Sequence, residues 1–155
     1  MNPKYVPKSL SKKDKIKQIK SIKERTNRPI LKSYKSKRSK WVIAFEKKYN
    51  KKITNLRWIS QNIIEREGID QILKKGQGAY FTSGSRPNQT KHSWAFARLA
   101  SVIMNGPARK VDQKIWNKYK RTRTNRRTRT NRTKTNRTKT KRTRTNRTTK
   151  RTKRK

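Results

Sequence analysis

The chain has 155 residues, of which 49 are Lys or Arg and seven are Asp or Glu, for a net charge of +42. With no cysteine and a single histidine, His92, it offers no disulfide, no thiolate zinc site and no cysteine nucleophile. No apolar run approaches the length of a membrane span, and the opening MNPKYVPKSLSKKDKIKQ lacks the apolar core of a signal peptide, so neither a secreted nor a membrane protein is expected.

The charge is uneven. Residues 1–40 carry +13 (15 basic, 2 acidic), residues 41–119 carry +10 (15 basic, 5 acidic) and residues 120–155 carry +19 with no acid. Most of the apolar residues fall between Trp41 and Tyr119, at a density ordinary for a globular domain. The expected organisation is a basic N-terminal arm (1–40), one small globular domain (41–119) and a basic tail (120–155).

In chain order, Ser11 followed by Asp14 fits a capping box, and Ile16, Ile19 and Ile22 form a narrow apolar stripe on a helix from about 12 to 26 that Pro29 ends. So thin a stripe suits docking on the domain or on a neighbouring subunit. Residues 28–40, RPILKSYKSKRSK, read as a basic linker. Trp41, Phe45 and Tyr49 place three rings on one face of a helix from about 38 to 49. Thr54 or Asn55 then caps a helix whose inner face is Leu56, Ile59, Ile63 and Ile64, with Gly68 as its stop and a short helical turn from Asp70 to Lys75 ending at Gly76.

The segment KGQGAYFTSGSRPNQT changes texture: glycines, a proline and hydroxyl residues surround Ala79, Tyr80 and Phe81, which predicts a short strand entering a structured loop. Ser93 is the expected cap of a helix through about Asn105, with Trp94, Ala97, Leu99, Val102 and Ile103 on its apolar face and Gly106 and Pro107 as its stop. A last amphipathic piece, Val111 to Tyr119, contributes Ile115, Trp116 and Tyr119. The fold class is therefore mainly α, with an α+β variant if Tyr80 lies in a short strand pair.

From Lys120 onward only four residue types occur: 19 Lys or Arg, 13 Thr and 4 Asn in 36 positions. Such a composition has no apolar surface to bury and is expected to be disordered when free. Its degenerate pentads (TNRTK at Thr130 and again at Thr135, TKRTR at Thr140, TNRTT at Thr145) multiply one charge pattern and are too short for a solenoid. The matching partner is a polyanion, and nucleic acid is the abundant one. The residues expected to meet phosphates are Arg121, Arg123, Arg126, Arg127, Arg129, Arg132, Lys134, Arg137, Lys139, Lys141, Arg142, Arg144, Arg147, Lys150 and Arg151. A flexible polycation reads backbone rather than base edges, so no sequence specificity is expected.

The second candidate is the Gly-rich stretch and the start of the helix after it: Gly76, Gly78, Tyr80, Ser83, Gly84, Ser85, Arg86, Asn88, Gln89, Thr90, Trp94 and Arg98. Its spacing completes neither a phosphate-binding P-loop nor a dinucleotide fingerprint. A tight packed turn is the plainer reading; Arg86, Asn88, Gln89 and Thr90 are expected either to meet a phosphate or a partner subunit or to fix the loop by local hydrogen bonds. The acidic cluster Glu65, Glu67 and Asp70 reads as surface charge balance, and the four tryptophans read as core before they read as base-stacking platforms. No catalytic residue, metal or cofactor is assigned.

GQGAYFTSGSRPNQTKHSWAFARLASVI, with KYVPKSLSKKDKIKQ upstream and ARKVD downstream, resembles an uncharacterised family of large nucleocytoplasmic DNA viruses over residues 3–115. The resemblance implies a viral protein and carries no reaction with it. G-x-G-x-Y-F followed by serines is also reminiscent of ADP-ribosyltransferases, without the upstream His in a strand or the downstream catalytic Glu that those enzymes need. The expected function is thus non-enzymatic: a DNA-condensing or genome-to-capsid attachment protein, with double-stranded DNA favoured over RNA and capsid proteins as further partners. Its expected place is the virion, the host nucleus or a cytoplasmic viral factory. The alternatives are a minor capsid or scaffold protein and, behind it, a nucleotide-binding enzyme.

Overall fold

The computed structural model describes residues 3–121. Apart from Arg121, the tail residues named above lie outside the described residues. The described residues up to Lys120 form one compact unit, and its regular elements are all helices: α1 (Lys12–Lys23), α2 (Lys40–Tyr49), α3 (Leu56–Asn62), α4 (Arg66–Thr82), α5 (Lys91–Ile103), α6 (Pro107–Val111) and α7 (Gln113–Tyr119). The one β pairing among the described residues is an isolated antiparallel bridge between Ile64 and Lys120.

The centre of the fold is the pair α4 and α5, which share the largest helix interface; α2 and α6 pack on α5, while α3 and α7 pack on α4. Their apolar faces enclose one core of Val42, Phe45, Ile53, Ile59, Ile64, Ile69, Ile72, Leu99, Ala100, Val102 and Ile103. Burial of such side chains is the main force holding a domain of this size together. Arg109 closes the C-terminal end of α5: its guanidinium donates to the carbonyls of Val102 (2.6 Å) and Ile103 (2.9 Å) and lies 3.8 Å from the Trp116 ring centroid. A cation suits a helix C-terminus, where carbonyls lack intrahelical partners.

The expected strand at Ala79–Phe81 is not there. Helix α4 runs without interruption from Arg66 to Thr82, and Ile69, Ile72, Gly76 and Tyr80 form its buried stripe at helical spacing. The glycines misled because Gly76 serves close packing rather than a turn. A Cβ built on it would lie 2.7 Å from Ala95 Cα, so α4 and α5 touch backbone to backbone at that point. Gly68 likewise does not stop a helix; it sits in the first turn of α4 against Tyr119, whose Cβ would be 2.6 Å from an added methyl.

Other boundaries shift for local reasons. Helix α3 ends at Asn62, and Ile63 and Ile64 turn away so that Ile64 is wholly buried. Helix α1 ends at Lys23, ahead of Arg25 at φ 54°. Thr90, not Ser93, caps α5: the Thr90 hydroxyl accepts from the Ser93 N–H and the Ser93 hydroxyl accepts from the Thr90 N–H, each at 3.1 Å. The final helical piece divides at Asp112, which is fully buried between α6 and α7.

The arm and linker are fastened to the loop that follows α4. Arg28 and Leu31 are buried. The Arg28 guanidinium donates to the carbonyls of Ser21 (2.9 Å), Thr26 (2.5 Å) and Tyr80 (2.7 Å), and stacks 4.7 Å from the Tyr80 ring centroid. Burial pushes its pKa below the usual guanidinium value, with Tyr80 acting in the opposite direction. Gln18 of α1, also buried, donates to the carbonyls of Tyr5 (3.0 Å) and Ser85 (3.1 Å). Of the isoleucine stripe on α1, Ile16 is exposed while Ile19 and Ile22 are half-buried.

Candidate nucleic-acid interface

Two groups of loop residues separate once their partners are known. The first group fixes the structure. Asn88, at φ 55°, clamps the linker: its Oδ1 accepts from the Leu31 N–H (2.7 Å) and its Nδ2 donates to the carbonyls of Leu31 (3.0 Å) and Tyr34 (2.7 Å). Gly84 stands at φ 87°, where a Cβ would approach the Tyr5 ring to 3.0 Å. That backbone conformation favours glycine. Ser85 is buried and held by Gln18, Ser83 ends α4, Thr90 caps α5, and Gly76 and Tyr80 belong to the α4 packing face. Gly78 is exposed with open space around it.

The second group, Arg86, Gln89, Trp94 and Arg98, lines a groove of about 650 Å³. One wall is the stripe Trp94, Ala97, Arg98 and Ser101, spaced i, i+3, i+4, i+7 along α5. Facing it are Lys37, Arg38 and Ser39 of the linker with Lys40 and Trp41 at the start of α2; Tyr5 of the arm and the first turn of α6 complete the rim. Gly106 lets the chain pass against Trp41, since an added Cβ would lie 2.7 Å from the indole.

Five of the lining residues are cations, Lys37, Arg38, Lys40, Arg86 and Arg98, and none is an acid. Two of the five have fixed partners. Arg38 pairs with Glu46 at 3.0 Å, and Arg98 forms a two-point pair with the buried Asp112, at 2.7 Å (Nε to Oδ2) and 2.9 Å (Nη2 to Oδ1). Lys37, Lys40 and Arg86 hold no ion pair among the described residues, leaving an uncompensated positive field; Lys40 Nζ lies 5.0 Å from the Trp41 ring centroid.

Trp41, Trp58 and Trp116 pack against the core, as the pattern suggested for tryptophans generally. Trp94 differs: it makes a T-shaped contact with Tyr5, 5.9 Å between ring centroids, and lines the groove. Sequence reasoning did not bring Tyr5, Lys37, Lys40 and Trp41 to this site. The available signal was the run Lys37, Arg38, Ser39, Lys40 ending directly on an aromatic residue. His92 is exposed on the first turn of α5, and no group of metal-ligating side chains occurs among the described residues.

The model of the family of unknown function DUF5824 matches residues 3–115. The chain belongs to that family. No curated protein and no solved structure matches the chain. The matched region begins in the arm and ends within α7, so every residue lining the groove belongs to the DUF5824 portion of the chain, and the Lys/Arg/Thr/Asn tail follows it.

Proposed function

We propose that this protein binds nucleic acid through its phosphates, without sequence preference, and that it serves a DNA virus by condensing the genome or attaching it to the shell. One observation carries the reading: 19 cations and no acid in the last 36 residues. That density matches a phosphate polymer, with affinity arising from counterion release. The groove adds Lys37, Lys40 and Arg86 in the same sense. The viral assignment rests on the resemblance of residues 3–115; on this reading the protein acts in the virion, the host nucleus or a viral factory, with duplex DNA the first target and RNA the second.

A salt titration of duplex binding tests it, with the full chain beside a chain ending at Arg121. That cut removes 17 Lys or Arg and retains Lys120, which pairs with Ile64. Each engaged cation contributes about 0.9 to the magnitude of the log–log salt slope on duplex DNA. The full chain is expected to show a steep slope, and the shortened chain a shallow one with much weaker binding. Equal affinity of the two chains at every salt concentration would overturn the proposal.

Exposed isoleucines favour a second reading as a minor capsid or scaffold component. Ile16 is 68%, Ile30 90% and Ile43 50% exposed, on the arm, linker and α2. Under it the shortened chain still enters particles, and substitution of these isoleucines by serine is what prevents entry.

A further inference from the structure

We infer that the groove between the linker and α5 is a subsite for one unpaired nucleotide of a single-stranded nucleic acid, its base against Trp94 and its phosphate on Arg86 and Lys37. The inference rests on the nucleic-acid reading above and gives the folded part a role distinct from that of the tail.

Three properties of the groove converge on this ligand. Its volume of about 650 Å³ falls within the range of small-molecule sites and admits a base with its sugar and phosphate. Its surplus charge is positive: Lys37, Lys40 and Arg86 remain after Arg38 and Arg98 are assigned to Glu46 and Asp112. Its walls are aromatic as well as basic, with Trp94 and Trp41 bordering the same space. An acidic peptide would satisfy the cations and leave the rings unmatched. A nucleotide presents a π face and a phosphate together, the combination used by single-strand binders. Duplex DNA keeps its base faces stacked inside the helix and does not offer them to a recessed indole.

Gln89 gives the site a fixed edge. Its carbonyl accepts from the Tyr80 hydroxyl at 2.9 Å and its Oε1 accepts from the Ser93 hydroxyl at 2.8 Å, so the side-chain amide is held beside Trp94 before any ligand arrives. Arg86, by contrast, is exposed, and no carboxylate among the described residues pairs with it. A fixed platform beside an exposed cation accommodates different bases, which agrees with the absence of sequence preference proposed above.

The test uses the full chain at a salt concentration that releases duplex DNA, with three probes: a short oligothymidylate, a duplex of equal charge and inorganic polyphosphate. The oligothymidylate is expected to remain bound after the other two are released and to quench tryptophan fluorescence. Arg86→Ala combined with Lys37→Ala, both exposed positions, is expected to weaken oligothymidylate binding about tenfold and low-salt duplex binding far less, because most of the cations that meet a duplex lie in the tail. Trp94→Leu is expected to lose about tenfold, and Trp94→Phe, which keeps a ring, to retain most of the affinity. Release of all three probes at the same salt, or oligothymidylate binding indifferent to both the Arg86/Lys37 and the Trp94 changes, overturns the inference while the tail's duplex binding stands. Failure of every probe to bind even at low salt overturns the parent reading with it. A nucleoside monophosphate competing as tightly as the oligomer assigns the groove to free nucleotides and removes the single strand as its occupant.

Discussion

Gly76 of α4 and Ala95 of α5 meet so closely that a single methyl on the glycine would lie 2.7 Å from Ala95 Cα and 3.1 Å from its Cβ. This contact sets the separation of the two central helices. On α5 the neighbouring Trp94 and Arg98 line the groove, and Arg98 Cδ would itself be 3.4 Å from the added methyl. Helix packing and groove geometry are therefore fixed at the same point.

Two glycines two residues apart on α4 should consequently respond in opposite directions. Gly76→Ala gains about 1 kcal/mol of helix propensity and incurs a backbone clash costing about 1–3 kcal/mol, with a net loss of stability expected. Gly78→Ala has no atom within 4 Å of the new methyl and should stabilise the protein by about 0.5–1 kcal/mol. Denaturant unfolding of the two variants beside the natural chain decides it; stabilisation by both would show that the interface relaxes freely.

The same pair explains what the sequence could and could not reveal. Helical class, the α2 face of Phe45 and Tyr49 and the α5 face of Leu99 and Val102 were legible, because apolar residues recur at helical spacing. Helix α4 was not, because its buried stripe passes through Gly76, and glycine reads locally as a turn when its reason is a neighbour 19 positions away in sequence. The candidate loop was found, yet its division into clamp and groove depended on partners from the linker. Asn88 reaches Leu31 and Tyr34, and Trp94 meets Tyr5, at separations that no local pattern encodes.

Tyr80→Phe removes one oxygen from the junction of α4, the linker and the loop. The hydroxyl accepts from the Arg28 N–H at 2.8 Å and donates to the Gln89 carbonyl at 2.9 Å. Deleting it strands a buried donor and an acceptor, which costs about 1–3 kcal/mol. The ring still fills its site, so the expected signature is reduced unfolding free energy with native helical content and faster amide exchange in residues 28–34 and 86–90. Unchanged exchange there would show that the junction does not depend on this oxygen.

The arm carries an acid-sensitive contact. The Ser33 hydroxyl donates to Asp14 Oδ2 at 2.5 Å and the Ser33 N–H donates to the same oxygen at 3.3 Å. The Ser33 hydroxyl is the main reason that the Asp14 carboxyl lies below its ordinary value of 3.8; partial burial opposes it, while the Ser33 N–H, Lys17 and Lys13 reinforce it. A carboxyl lowered by folding stabilises the folded state at pH values above 3.8, and that contribution is lost as the pH falls through the folded value. The difference in melting temperature between the natural chain and Ser33→Ala should therefore be full near neutrality and shrink on acidification below 3.8. A difference constant across that range would assign the effect of the substitution to something other than the carboxylate.

Asp112 is the only acid wholly buried among the described residues, and it neutralises Arg98 directly beneath the groove. Lys75 also reaches it, at 3.3 Å, but that side chain is 51% exposed and contributes little by comparison. Asp112→Ala leaves the largely buried Arg98 guanidinium without its carboxylate, and breaking such a pair costs about 3–5 kcal/mol. Because the penalty comes from the orphaned charge, Asp112→Ala combined with Arg98→Met should be more stable than Asp112→Ala alone, despite carrying one more substitution. Urea unfolding of the single and double variants measures this directly. A double variant no more stable than Asp112→Ala would mean that the Asp112 side chain acts by filling the space between α6 and α7, with the ion pair secondary.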